Sequence, residues 1–590
     1  MREPPSLASG LRSRTVRADL IVAVVLAVIL TACWAVRDWA QLAWLNLPDN
    51  DDMMRLAQVR DWIAGQAFND WTQYRVAPPA GGPMHWSRIN DVGIAAIIVA
   101  LRPLVGAYGA ELAAVIAYPA MLFAAYLFLS ARIARRLGGD AAGPVAAIVA
   151  ALAYPANSLF LPGRIDHHAL QIVLTLVAAL ALMRRPDARG GGIFGVAAAL
   201  SLGIGLETAP HVAALVLVLG VRWIRDGRAE AGRLAAAGVA MGGVTLLLLA
   251  VARPTLWSDR WCDSFTPAST SVTLAAAGGW IALALLTARL PDWRARTAAG
   301  AVAGGAVAAF ALLRYPACLA GPYGPMDPFL KTAFLDHIVE AQGLFDHRAL
   351  SMGIPSAGLI FAAVCTAIWF LWRRPLRRDL ALPLVALLAT GAVITIFQVR
   401  GAYLGSAVAA PFLAQLIVAA RGAGRARGAA VAGAWIASAG MLYLMVPERI
   451  DRLLAPQVHA SLMVHKSCNG GDTWHQLDRY PAGVVMAPMD RAAYIVGGSH
   501  HASVGAGYHR SNRGNRAMYD FFLSPPDAAR TIGARWKVRY VAICPGDFAE
   551  IEIATAYPDS LGAHLLRGAA PAWLEPLPLR DTGLRFYRVR

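Results

Sequence analysis

The string Asp166-His167-His168 sets a carboxylate and an imidazole two positions apart, a pair able to share a divalent cation. The same aspartate can instead cap a helix starting at His168. A second acidic group, Asp49, Asp51 and Asp52, is packed into one short run. Its oxygens suit a hard cation such as Mg²⁺ or Mn²⁺, or a general base, or simply solvated loop charges. Arg400 can grip a phosphate bidentately or anchor a helix end at a membrane interface. Glu340 taken alone is a surface acid. Brought together, these residues would build one site for a metal ion and a phosphate.

What must bring them together is a membrane protein. The chain has 590 residues, 57% hydrophobic and 15% charged, with a mean hydropathy of +0.48. Apolar runs of roughly 16–22 residues recur, the length that crosses a bilayer. The net charge is +17, yet the arginines cluster in short connections between apolar runs. That pattern is a topology signal rather than a nucleic-acid footprint. The clusters predict about thirteen spans, because every even span ends in one. Examples are Arg132/Arg135/Arg136, Arg222/Arg225/Arg228 and Arg373/Arg374/Arg377/Arg378. Arg2, Arg12, Arg14 and Arg17 precede the first run, Leu20 to Val36, which reads as a retained span. Odd spans then exit to the periplasm. Val92–Gly106 is apolar but carries Arg102. If it spanned, every later cluster would face the wrong side, so it is expected to lie at the outer surface as an interfacial helix.

The predicted organisation is a transmembrane region over 1–446, with outer loop one at 38–110 and a long outer loop at 315–353. A soluble periplasmic domain follows over 447–590. Val484–Ala487 and Tyr540–Cys544 read as buried strands and Pro525–Ile532 as a helix start, so the domain is expected to be small and α/β. His500, His501, His509 and Arg510 lie in a Gly/Ser/Asn-rich stretch that could close over the site or pack on its own domain. Cys262 and Cys318 fall in outer loops, and Cys468 and Cys544 in the C-terminal domain. An oxidising compartment permits both pairs to bridge; four free thiols are the alternative.

On these residues the chain resembles the GT-C class of membrane glycosyltransferases, and within it the single-subunit oligosaccharyltransferases of archaea and bacteria. The resemblance rests on thirteen spans, an outer C-terminal domain, Asp49 followed six residues on by Arg55, the string Asp166-His167-His168, Ile338-Val339-Glu340, and Arg400 after span eleven. It implies a divalent metal held by Asp49, Asp52, Asp166 and His168. It implies Asp49, Asp51, Asp52, Asp166 and Glu340 as catalytic acids, with the key carboxylate of the first three left open. Arg400, His85, Arg88 and Arg55 would stand on the donor-phosphate side, and Glu207 could bind a sugar hydroxyl. The expected donor is a sugar or oligosaccharide on a polyprenyl phosphate or pyrophosphate, drawn from the lipids of a bacterial inner membrane. The Trp-Trp-Asp motif by which that family reads a protein sequon has no counterpart here, so the acceptor (glycan, lipid or protein) stays open. The rival reading is an envelope transporter or flippase, which would place its charges near the bilayer midplane. A third is a non-catalytic envelope scaffold.

Overall fold

The computed structural model describes residues 7–258, 261–346, 350–373, 378–454 and 468–590. Arg2, Arg374 and Arg377, used above for topology, lie outside them. The architecture is a multi-span helical bundle carrying a small α/β domain at its C-terminal end. Among the described residues, nine helices are long and apolar enough to cross a membrane. The pair Gly424–Ser438 and Gly440–Leu454, bent by 74°, would make a tenth. Three shorter apolar helices, Ala142–Ala151, His168–Leu182 and Ala188–Ile204, sit where the third to fifth spans were expected.

Their shortness has a physical role. A 15-residue helix such as His168–Leu182 is about 22 Å long, short of the ~30 Å hydrocarbon layer. The remaining depth is filled by irregular backbone, including the 3₁₀ turn Ala156–Phe160 and the Gly163–His167 segment. Irregular backbone is tolerated at such depth where it is buried or lines a cavity. The helix Ile89–Gly138 breaks at Gly106, whose φ of +75° suits a residue without a side chain. The stretch before the break buries Asp91, Ile94, Ala95 and Ile98 and exposes Val92, Val99, Leu104 and Val105.

In the C-terminal domain the strand order is β4-β3-β5-β7-β6, with β3 (Val484–Met486), β4 (Ala502–Ser503), β5 (Val538–Ile543), β6 (Leu574–Leu577) and β7 (Arg585–Val589). The first three pair in parallel and the last two join antiparallel. This domain shares a core with loop one. Met53, Trp71, Val76 and Trp86 pack in the same buried cluster as Trp474, Val485, Tyr494 and Tyr508. Val76 also pairs with Ser503 at the edge strand. A Cβ on Gly497 would lie 2.6 Å from the Met53 carbonyl oxygen, so the helix Met489–Gly498 packs backbone-close on loop one.

Cys262 bridges Cys318 and Cys468 bridges Cys544, leaving Cys33 and Cys365 free and exposed. Alkylation of the unfolded chain should therefore label two thiols before reduction and all six cysteines after it. Intact-mass measurement checks this, and six labels without reductant would contradict both bridges.

Candidate active site

Loop one contributes the helix Asn50–Ile63. Asp49 is its N-cap and accepts a hydrogen bond from the Asp51 amide at 3.1 Å. Positions 49 and 52 then share a helix face, and both meet Arg164, at 2.8 and 3.0 Å. The other Asp52 oxygen accepts from the amides of Ile165 (2.8 Å) and Asp166 (2.9 Å). Burial, opposed by Arg164, pushes Asp52 up to about 7. Asp52 is thus the clamp that shapes the Asp166 turn. The oxygens of Asp49 and Asp52, both expected as metal ligands, engage the cap, the turn and Arg164.

Two arginines expected on the donor-phosphate side are buried among protein partners. Arg55 is fully buried; it donates to Asp91 at 2.7 Å and Asp166 at 3.3 Å, with its guanidinium 4.8 Å over the Trp86 ring. It holds Asp166 from within the protein. Arg88, also fully buried, donates to the carbonyls of Gln58 and Asp70 and to the Gln66 side chain, each at 2.8 Å. It is a strut inside loop one.

Asp166 is gripped from both sides. One oxygen lies 2.5 Å from His167 Nδ1 and the other contacts His168 Nδ1. Burial would raise Asp166, but the two imidazoles hold it well below the usual carboxylate range. Burial would lower His167, but Asp166 and Glu207 push it up to about 10. The donor atoms of Asp166, His167 and His168 lie within 4.8 Å of one another, a grouping that suits a metal ion.

A cavity of about 720 Å³ opens beside this group. Asp51, His85, His167, His168, Glu207, Glu340, Arg400, Tyr508 and His509 form its polar lining; Ile172, Pro210, Val393, Ile394, Phe397 and Leu404 form an apolar wall of helix ends. Asp51 is the one member of the acidic run that lines it. Among the described residues Asp51 makes no side-chain hydrogen bond or ion pair. Burial, followed by the neighbouring Asp166, Asp49 and Glu340, pushes its carboxyl well up. Glu340 and Arg400 meet at the cavity. The Arg400 amide donates to the Glu340 carbonyl at 3.0 Å, and their side chains lie 3.4 Å apart. Arg400 also donates to the Tyr323 hydroxyl at 3.3 Å, and its Nε is buried without a partner.

The C-terminal domain roofs the cavity through Gly507-Tyr508-His509. Arg510 binds Asp263 bidentately (2.9 and 2.5 Å), and His509 contacts the same carboxylate. Asp263 follows the bridged Cys262, so the roof is tied to a disulfide-anchored loop. The His85 ring lies tilted against that of His509, with centroids 4.8 Å apart. Burial first, then the neighbouring His509, pushes the pKa of His85 well down. His500 and His501 face Asp478 elsewhere in the domain. Asp263, Tyr323, Gln171 and His211 were not anticipated. His211, an ionisable residue near the start of a span, was the one that sequence reading could have raised.

No family model matches the chain and no curated protein matches it. Solved structures do. The archaeal oligosaccharyltransferase AglB from Archaeoglobus fulgidus, in complex with an inhibitory peptide and a dolichol-phosphate, aligns with TM-score 0.61 at 14% identity over 89% of this chain and 69% of that one. The apo form of the A. fulgidus oligosaccharyltransferase gives TM-score 0.64 at 14% identity over 95% and 73%. Its complex with Zn and sulfate gives 0.57 at 15% over 89% and 67%. At such identity the likeness establishes the fold: this chain is built like the archaeal oligosaccharyltransferase.

Proposed function

We propose that the protein is a GT-C type membrane glycosyltransferase. It would move a sugar or oligosaccharide from a polyprenyl phosphate or pyrophosphate to an acceptor at the periplasmic face of a bacterial inner membrane. The observation that carries this reading is the cavity itself. One wall offers apolar helix ends to a prenyl chain. The other brings an unpaired carboxylate, a metal-suited cluster and an arginine with a free N–H into one space.

Asp51 is the acid positioned to orient the acceptor and take its proton as the new glycosidic bond forms. Arg400, released from Glu340, is placed to receive the phosphate that leaves with the bonding electrons. Asp166 and His168 would hold the divalent cation; an imidazole donor suits Mn²⁺ better than Mg²⁺. When bound, that ion supplies positive charge that stabilises the leaving phosphate. Asp49, Asp52 and Arg55 act on the reaction only by positioning this turn. The fold relatives described with dolichol-phosphate, a peptide, and Zn with sulfate support lipid-linked donor chemistry, while the acceptor class stays with this chain's own roof.

The test uses purified protein in proteoliposomes with a polyprenyl-phosphate sugar. Release of free polyprenyl phosphate upon adding an envelope acceptor fraction is expected, and chelation of divalent cations should stop it. Arg400→Ala should lower donor turnover about 10²-fold, the scale of losing one charged contact to the leaving group. Movement of the intact lipid-linked sugar across the bilayer, with no bond cleaved, would establish a flippase instead.

A further inference from the structure

Buried polar atoms are nearly always satisfied, yet this cavity gathers several that are not. His211 is 3% exposed and lines the cavity, and neither of its ring nitrogens has a partner among the described residues. Gln171 is 1% exposed and lines it too. Its amide nitrogen is spent on the Gly205 carbonyl (3.0 Å) and Glu207 (3.3 Å), while its carbonyl oxygen is buried and unpartnered. Glu207 lies on the turn just before His211, half-buried, with one oxygen 3.5 Å from His167.

We infer that Gln171, Glu207 and His211 form the subsite that reads the donor's sugar, and that this sugar is neutral and hydroxyl-rich. The inference rests on the glycosyltransferase reading and extends it to a substrate class. Chemistry selects the class. A carboxylate, an amide oxygen and a ring nitrogen are acceptors, and what satisfies a row of acceptors is a row of O–H donors. The other nitrogen of a neutral imidazole donates, matching a hydroxyl or ring oxygen of the same sugar. A uronic or other acidic sugar would set its carboxylate against Glu207. Arg400, the only lysine or arginine in the lining among the described residues, is already engaged with Glu340 and Tyr323 and has been assigned the phosphate. Sites built from hydrogen-bonding groups discriminate strongly, because the wrong ligand leaves them buried and unpaired.

The experiment compares binding of three probes to the full chain in nanodiscs: bare polyprenyl phosphate, a polyprenyl-phosphate hexose, and the corresponding hexuronate. The wild type should bind the hexose lipid more tightly than the bare phosphate lipid, and the hexuronate lipid no better than the bare one. His211→Phe fills the same space without polar atoms. It should weaken the hexose lipid about tenfold, the scale of a lost hydrogen bond or two, and leave the bare lipid within about twofold. His211→Asn, which restores a donor and an acceptor, should recover part of the loss and guards against misreading a folding defect. Equal affinity of the wild type for hexose and bare lipids, or equal losses for both in His211→Phe, overturns the subsite. Failure of the wild type to bind any lipid phosphate would instead remove the glycosyltransferase reading beneath it.

Discussion

Asp51→Asn should reduce transfer from a lipid-linked donor by about 10²–10⁴-fold, the range contributed by a positioned general base, with the thermal unfolding midpoint unchanged. The substitution keeps the side chain's shape and breaks no side-chain hydrogen bond or ion pair among the described residues. Its neighbours give the control. Asp52→Asn keeps an oxygen for the Ile165 and Asp166 amides but loses the charge that meets Arg164. Its effect should appear in stability as well as in rate. Asp49 is 45% exposed at its side chain, and Asp49→Asn retains the capping oxygen, so its effect should be small. Polyprenyl-phosphate release measured beside detergent-solubilised unfolding separates the three. Near-wild-type transfer by Asp51→Asn would take the proton-accepting role away from it.

The largest loss of stability should come from Arg55→Met. Asp91 and Asp166 are both almost wholly buried and face the same guanidinium, at 2.7 and 3.3 Å. Methionine fills much of the space but takes away the nearest cation of Asp91, which keeps only Arg88 at 3.8 Å, and one of the cationic partners of Asp166, which keeps its two imidazoles. Breaking one side of a buried ion pair costs about 3–5 kcal/mol, because the surviving charge stays desolvated. Adding Asp91→Asn should recover part of that loss, since it removes one stranded charge. A donor-phosphate role for Arg55 makes the opposite forecast: a raised KM for the lipid donor and an unaltered midpoint. Denaturation curves of the single and double variants decide between them.

The contrast between Asp51 and Arg55 also shows how far the residues alone carry the fold and the site. Span positions were legible because a charged side chain in hydrocarbon is costly, so arginines collect where helices end. The site's membership was legible in part, because Asp166-His167-His168 and the distant Glu340 and Arg400 are residue types that need partners wherever they are buried. The division of labour within Asp49–Asp52 was not recognised, although helix phase holds the clue. A cap at 49 puts 52 on its face and turns 51 roughly 100° from 52. The burial of Arg55 and Arg88 had no local signal. Their partners come from segments whose juxtaposition is decided by packing. The same holds for the Asp263–Arg510 clasp, whose members are 247 residues apart.

The core shared between loop one and the C-terminal domain bears on how the molecule is made. Ser503 follows its sheet partner Val76 by 427 positions (503 − 76). At about 5–20 residues per second of synthesis, the early segment must wait on the order of tens of seconds for the chain that covers it. Until then Met53, Trp71 and Trp86 have earlier neighbours such as Ile94, Val115 and Ile165 but lack the cover of Trp474, Val485 and Tyr494, and the emerging protein is open to proteolysis and to capture by chaperones. Biogenesis is therefore completed last at the place where chain began first to leave the bilayer, and a ribosome halted before the final strands would yield an inserted bundle whose chemistry never assembles.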